Sequence, residues 1–130
     1  MEENYKKELT AILDEAIGHF DPSSEDDVSM LTIIADIDSN QLIFGGLKLR
    51  EDMEEYDEYN DESQIFYTAK PKYLKDYYKT IDEDAYGLFN GIGEIIDANE
   101  DLRDKFDGVE LYGWCKVNDE YTEVDNFWSA

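Results

Sequence analysis

Residues Val28–Leu49 read VSMLTIIADIDSNQLIFGGLKL, and this stretch decides the fold. Its first part, Val28–Ile37, is rich in β-branched residues, which favour strands. The second part, Gln41–Leu49, follows after only three polar residues, so the two parts predict an antiparallel hairpin. Because side chains alternate across a strand, one face of the first strand should point into the core. The residues of that face are Leu31, Ile33, Ala35 and Ile37.

A second hairpin is predicted further along the chain. Val109–Val117 alternates between apolar and mixed positions, and Glu120–Trp128 follows directly after Asn118–Asp119. One side of its first strand is wholly apolar or small. The other side is amphipathic and is expected to be partly exposed. That second side consists of Glu110, Tyr112, Trp114 and Lys116.

Apolar residues at helical spacing mark the remaining elements. Tyr5–Phe20 predicts a first helix, which Pro22 ends because proline resists continuation. Gln64–Ala69 predicts a short third strand. Further helical patterns lie at Tyr73–Ile81 and, as the main packing helix, at Ala85–Ile96, with a short extra helix around Leu102 and Phe106.

These elements predict a single α+β domain over residues 1–130. The main elements follow the order α-β-β-β-α-β-β, and nearly all connections are hairpins. An antiparallel sheet of about five strands with helices packed on one face is the expected architecture. Residues 51–63 are expected to form an acidic loop between the second and third strands.

Charge is the strongest functional signal in the chain. The 130 residues carry 34 carboxylates against 11 lysines and arginines, a formal net charge of -23. The run EDMEEYDEYNDES at residues 51–63 holds eight carboxylates and no base. Tyrosine and tryptophan anchor many interfaces, whereas charges accelerate encounter and restrict partners. The residues predicted to bind a partner are Glu51, Asp52, Glu54, Glu55, Tyr56, Asp57, Glu58, Tyr59, Asp61, Glu62, Tyr112 and Trp114.

Motifs for catalysis, cofactors and metals are absent from the sequence. His19 is the only histidine and Cys115 the only cysteine, so neither a zinc site nor a disulfide can be built within the chain. The sequence has no G-x-S-x-G turn and no phosphate-binding loop. The start of a calcium loop at Asp36 fails because Gln41 replaces the required glycine. We therefore expect a non-catalytic protein without cofactor or metal.

The charge also restricts the class of partner. Nucleic acids and anionic membranes are repelled by such a field, so direct binding to either is not expected. Only residues 64–80 have an excess of bases, from Lys70, Lys72, Lys75 and Lys79. The N-terminal segment shows no basic start followed by an apolar run, and a single cysteine suits a reducing compartment. The sequence thus predicts a cytoplasmic protein that binds a basic protein.

The small size, the acidity and the tyrosine-rich acidic run resemble bacterial immunity proteins that neutralise nuclease toxins, and also phage anti-defence inhibitors. No motif carries residue roles over from either group. The resemblance implies a stoichiometric inhibitor that covers a basic active site or blocks a nucleic-acid-binding cleft.

Two other functions remain open at this stage. One is a nucleic-acid mimic that binds many DNA- or RNA-binding proteins, although the carboxylates here do not form long regular rows. The other is an acidic adaptor whose charge serves only solubility or salt adaptation.

Overall fold

The computed structural model describes residues 2–20, 29–56 and 64–129. These ranges contain five helices and five strands. In chain order they are α1 (Glu2–His19), β1 (Ser29–Asp36), β2 (Gln41–Gly45), α2 (Leu47–Tyr56), β3 (Ile65–Ala69), α3 (Leu74–Thr80), α4 (Ala85–Ala98), α5 (Glu100–Lys105), β4 (Val109–Val117) and β5 (Glu120–Ser129). None of the helices in the described ranges is long and apolar enough to cross a membrane.

The strands form one sheet in the order β3-β2-β1-β4-β5. Both predicted hairpins are confirmed: β1 pairs antiparallel with β2, and β4 pairs antiparallel with β5. The prediction of a wholly antiparallel sheet is wrong, because β1 and β4 are parallel neighbours at its centre. Their register joins Ser29 to Val109 and Asp36 to Lys116. The fold is therefore α+β with a mixed sheet.

The parallel pair arises from how the second hairpin docks. After β2 the chain passes through α2, β3 and three successive helices before it reaches β4. Parallel neighbours need such a long crossover, whereas a short turn can join only antiparallel strands. The order α-β-β-β-α-β-β is corrected accordingly to α-β-β-α-β-α-α-α-β-β.

A helix, α2, replaces two predicted features. The second strand was expected to reach Leu49 and residues 51–63 to form a loop, but β2 ends at Gly45 and residues 51–56 are helical. Leu49 and Met53 are four residues apart, and both are fully buried. Arg50 pairs with Glu54 at the same spacing, which stabilises a helix despite its acidity. Residues 57–63 lie outside the described part of the chain.

The main core lies on the first face of the sheet. The four predicted residues of β1, from Leu31 to Ile37, all belong to it. Helices α1, α3, α4 and α5 cover this face, and α4 is the main packing helix, as predicted. Gly113 of β4 allows α4 to approach closely, because a Cβ there would lie 2.7 Å from the ring of the buried Phe89.

A smaller cluster lies on the second face of the sheet, beneath α2. Its buried members are Ile34, Ile43, Leu49, Met53 and Trp114. The prediction that helices pack on one face only is therefore wrong. Leu49 and Met53 make α2 amphipathic, so α2 has an apolar side to bury against the sheet.

The turn between β4 and β5 is held by a carboxylate from another hairpin. Asn118 and Asp119 have φ values of 52° and 62°, as a two-residue type I′ turn requires. Their backbone N–H groups donate to Oδ1 and Oδ2 of Asp38, at 2.8 and 3.0 Å. These bonds, chiefly the one from Asp119, lower the pKa of Asp38. Asp38 thus joins the two hairpin turns at one end of the sheet.

Replacing Asp38 with asparagine should lower the melting temperature by a few degrees at pH 7. The folded state holds the Asp38 carboxylate at a pKa below its unfolded value, so its contribution is fully present above the unfolded pKa. It is lost as the pH falls through the lowered folded pKa. Thermal melts of both proteins at pH 7 and near pH 3 should show the difference shrinking in acid. A difference that is constant with pH would contradict a role for the charge.

Candidate interaction surface

The described carboxylates of the acidic run lie on α2. Glu51, Glu54 and Glu55 are exposed and Asp52 is half-buried, while Leu49 and Met53 face the sheet. A helix that buries one side directs its remaining positions away from the sheet. The acidic run therefore begins as a helix that presents carboxylates to solvent on the second face of the sheet.

The second hairpin brings further carboxylates to the same face. Glu123 pairs across the strands with Trp114, so both side chains lie on one face, the side that α2 covers. Glu110 alternates with Tyr112 and Trp114 and shares that face. We define the acidic face as Glu51, Asp52, Glu54 and Glu55 of α2 together with Glu110, Glu123 and Asp125 of β4 and β5.

Arg50 connects the two parts of the acidic face. Its Nη1 and Nη2 atoms face the two carboxylate oxygens of Glu54 at 3.3 and 3.0 Å, and Nη2 also donates to Asp125 Oδ1 at 3.3 Å. The guanidinium carbon lies 4.1 Å from the centre of the Tyr112 ring, in cation–π geometry. We call Arg50, Glu54, Asp125 and Tyr112 the Arg50 cluster. It holds α2 to a strand 75 residues away in sequence.

Tyr112 extends the cluster along β4. Its hydroxyl donates to Glu110 Oε2 at 2.8 Å. Burial, and then the hydrogen bond to the Glu110 carboxylate, raise the pKa of Tyr112. The phenol therefore stays protonated and continues to donate at neutral pH. Glu110 is fixed in this way on the same surface as Glu54 and Asp125.

The structure joins predicted residues that are distant in sequence. Glu51 to Glu55 and the pair Tyr112 and Trp114 were predicted separately, and they share one face. Tyr112 and Trp114 are largely buried under α2, with 9% and 4% of their surface exposed. Contact of these two rings with a partner stays a prediction, and in this structure the rings support the carboxylates above them. Among the residues that the structure describes, the buried indole N–H of Trp114 has no hydrogen-bond partner.

The remaining predicted residues cannot be placed on this surface. Tyr56 is the last residue of α2, and Asp57, Glu58, Tyr59, Asp61 and Glu62 lie outside the described ranges. Sequence reasoning missed Arg50 and Asp125. The sequence did offer a signal for each. Arg50 stands four residues before Glu54, the spacing of an ion pair on a helix, and Asp125 lies on the second strand of the predicted hairpin.

Two residues of the lysine-rich segment lie on the opposite side of the sheet. Lys75 and Lys79 are exposed on α3, whose buried residues Leu74 and Tyr78 pack into the main core on the first face. Lys70 and Lys72 are exposed just before that helix. Lys75 and Lys79 thus lie on the side of the sheet opposite to the acidic face.

Other chemically reactive groups lie elsewhere. Cys115 is buried in the main core, and burial raises the pKa of its thiol to about 11. The ring of His19 stacks on Tyr67 with their centres 5.2 Å apart, near Glu15. Across residues 2–20, 29–56 and 64–129, no group of three or more His, Cys, Asp or Glu side chains is arranged to hold a metal ion.

Comparison with known proteins does not assign this chain to a family. No family model matches it. The searches of curated proteins and of solved structures likewise return no match.

Proposed function

We propose that this chain is a non-catalytic binding protein of the cytoplasm that inhibits a basic protein by covering its positive surface. A nuclease toxin suits this role, because a nuclease must present cations to hold phosphates. The acidic face would compete with the nucleic acid for those cations. One chain would bind one partner, in the manner of an immunity protein.

The observation that carries the proposal is the convergence of carboxylates on the acidic face. Residues from α2 and from β5, far apart in sequence, present exposed oxygens around Arg50. Asp125 is 75% exposed and Glu54 43%, so both can still accept hydrogen bonds from a partner. Complementary charge across an interface speeds association and excludes partners of like charge.

The lysines of α3 disfavour docking of a basic partner at that helix. A basic partner is attracted to the acidic face and repelled locally by Lys75 and Lys79 of α3 on the other side of the sheet. A nucleic-acid mimic would instead need regular rows of charge. Here Lys48 and Arg50 each pair with a carboxylate of α2, Glu51 and Glu54 respectively.

Capture from a lysate of the source cells tests the proposal. The chain is immobilised, exposed to lysate at low and at high salt, and the retained proteins are identified by mass spectrometry. One stoichiometric basic protein, lost at high salt, supports the inhibitor. Retention of many nucleic-acid-binding proteins supports mimicry, and retention of nothing contradicts both.

Replacing Glu51, Glu55 and Glu123 together with glutamine should slow association with the captured protein by about tenfold at low salt. These residues are exposed and leave the partners of Arg50 unchanged. The dependence of the association rate on salt should also become weaker, because fewer charges act over the approach. Stopped-flow or surface-based kinetics at several ionic strengths measure both effects.

A matched variant separates the acidic face from net charge. Glu94→Gln, Asp104→Asn and Asp107→Asn remove three exposed carboxylates from the side of α4 and α5. This variant should associate nearly as fast as the unmodified chain. If both triple variants slow association equally, only the overall charge matters and the acidic face is not the binding surface.

A further inference from the structure

We propose that Arg50 is the positioning residue of the acidic face, an internal guanidinium that fixes where the carboxylates of α2 and β5 are presented to a basic partner. This inference rests on the proposed function and adds to it how the carboxylates of the acidic face are held in place. Arg50 acts through Glu54 and Asp125, which are the groups that would touch the partner.

The geometry of the Arg50 cluster supports this role. The Arg50 side chain is only 17% exposed, although it lies on an acidic helix at the protein surface. Two nitrogens face the two oxygens of Glu54, and one of them also reaches Asp125. The guanidinium carbon of Arg50 lies over the Tyr112 ring. A contact of this kind fixes both the position and the orientation of the carboxylates it holds.

Lysine cannot replace arginine in such a cluster. A guanidinium is planar and offers parallel N–H groups to a carboxylate while its face stacks on an aromatic ring. An ammonium is a compact charge without that fork and without a flat face. The proposal therefore predicts that the shape of the cation matters as well as its charge.

Electrostatics alone gives the opposite expectation for Arg50. Removing a positive charge makes the chain more negative, which should speed its encounter with a basic partner. Without Arg50, however, Glu54 and Asp125 repel each other and the contact between α2 and β5 is lost. If Arg50 positions the carboxylates, its removal should weaken binding even though it makes the chain more attractive to a basic partner. Lys48→Ala removes the same charge from an exposed side chain of α2 and serves as the control.

The first experiment needs no partner. Arg50→Ala should leave a site between Glu54, Asp125 and Tyr112 that binds methylguanidinium. Binding is measured by NMR from changes in the backbone amide chemical shifts of these three residues. Methylguanidinium should bind this variant at least about threefold more tightly than methylammonium, and Lys48→Ala should show no such preference. Equal shifts with both cations would overturn the cluster as a guanidinium site. Where Arg50→Ala does not fold, Arg50→Lys, which keeps the charge, is used in the binding test.

The second experiment uses the basic protein captured from the lysate. Arg50→Ala and Arg50→Lys should each weaken its binding by about fivefold, mainly through faster dissociation, while Lys48→Ala leaves it unchanged or tighter. Added methylguanidinium should restore binding to Arg50→Ala. If Arg50→Ala tightens binding as Lys48→Ala does, the positioning role is wrong while the proposed function stands. If the unmodified chain captures no basic protein, the proposed function fails, and the presenting role of Arg50 fails with it.

Discussion

Replacing Gly113 with alanine is expected to lower the free energy of unfolding by about 1–3 kcal/mol, the usual cost of overpacking a core. A Cβ at this position would lie 2.7–2.8 Å from three carbon atoms of the Phe89 ring. Phe89 is fully buried and also contacts Phe127, with the ring centres 4.9 Å apart, so it cannot move aside freely. Valine should cost more than alanine. Denaturant unfolding of the purified variants measures the change.

Two further variants test the cause of this loss. Gly18→Ala adds the same methyl group where, among the described residues, no atom outside its own helix backbone and chain neighbours lies within 4 Å, so stability should stay equal or rise by up to about 1 kcal/mol. Phe89→Leu should relieve part of the clash with the new methyl group. The loss of unfolding free energy that Phe89→Leu causes should therefore be smaller in the Gly113→Ala background than in the unmodified chain. Strict additivity of the two changes would show that Gly113 and Phe89 do not compete for space.

Replacing Met53 with alanine is expected to lower the free energy of unfolding by about 2–5 kcal/mol, because it opens a cavity in a small cluster. Met53 is fully buried and, with Leu49, is one of the two α2 residues packed among Ile34, Ile43 and Trp114. Hydrogen exchange of the α2 amides should increase as well. The exposed Glu55 of the same helix provides the control, since Glu55→Ala should change stability little.

The Met53 result also concerns the proposed interface. If α2 is held to the sheet by its apolar side, loosening it should disturb the carboxylates on its outer side. A Met53→Ala variant that keeps full stability and unchanged exchange would contradict the placement of α2. It would also remove the structural basis of the acidic face.

Local patterns in the sequence predicted the elements whose causes are local. Both hairpins follow from short polar turns between alternating strands, and Asn118–Asp119 adopts the left-handed backbone that such a turn requires. The stripe on α4 follows from helical spacing. The parallel contact of β1 with β4 could not be predicted in this way. Nothing in either turn specifies which edge of the first hairpin the second one will join.

The helix α2 was missed for a different reason. Its density of carboxylates is typical of a solvated loop, and Gly45 and Gly46 precede it within what looked like a continuous strand. Charge pairs at Lys48–Glu51 and Arg50–Glu54 offset part of the repulsion between the carboxylates. The packing of Leu49 and Met53 against the sheet stabilises the helix further. The acidic and aromatic residues of the candidate surface were thus predictable as types. Their meeting on one face was not, because it depends on α2.

The parallel contact between β1 and β4 has a consequence for how the chain is made. On the ribosome, β1 and β2 emerge before β4, so one side of β1 has no neighbour until residues 109–117 have been synthesised. Until then this apolar strand exposes an open edge, the kind of edge that pairs wrongly with other chains. Contacts so distant in sequence also close slowly. The sheet is therefore completed only after the helices of the first face have emerged.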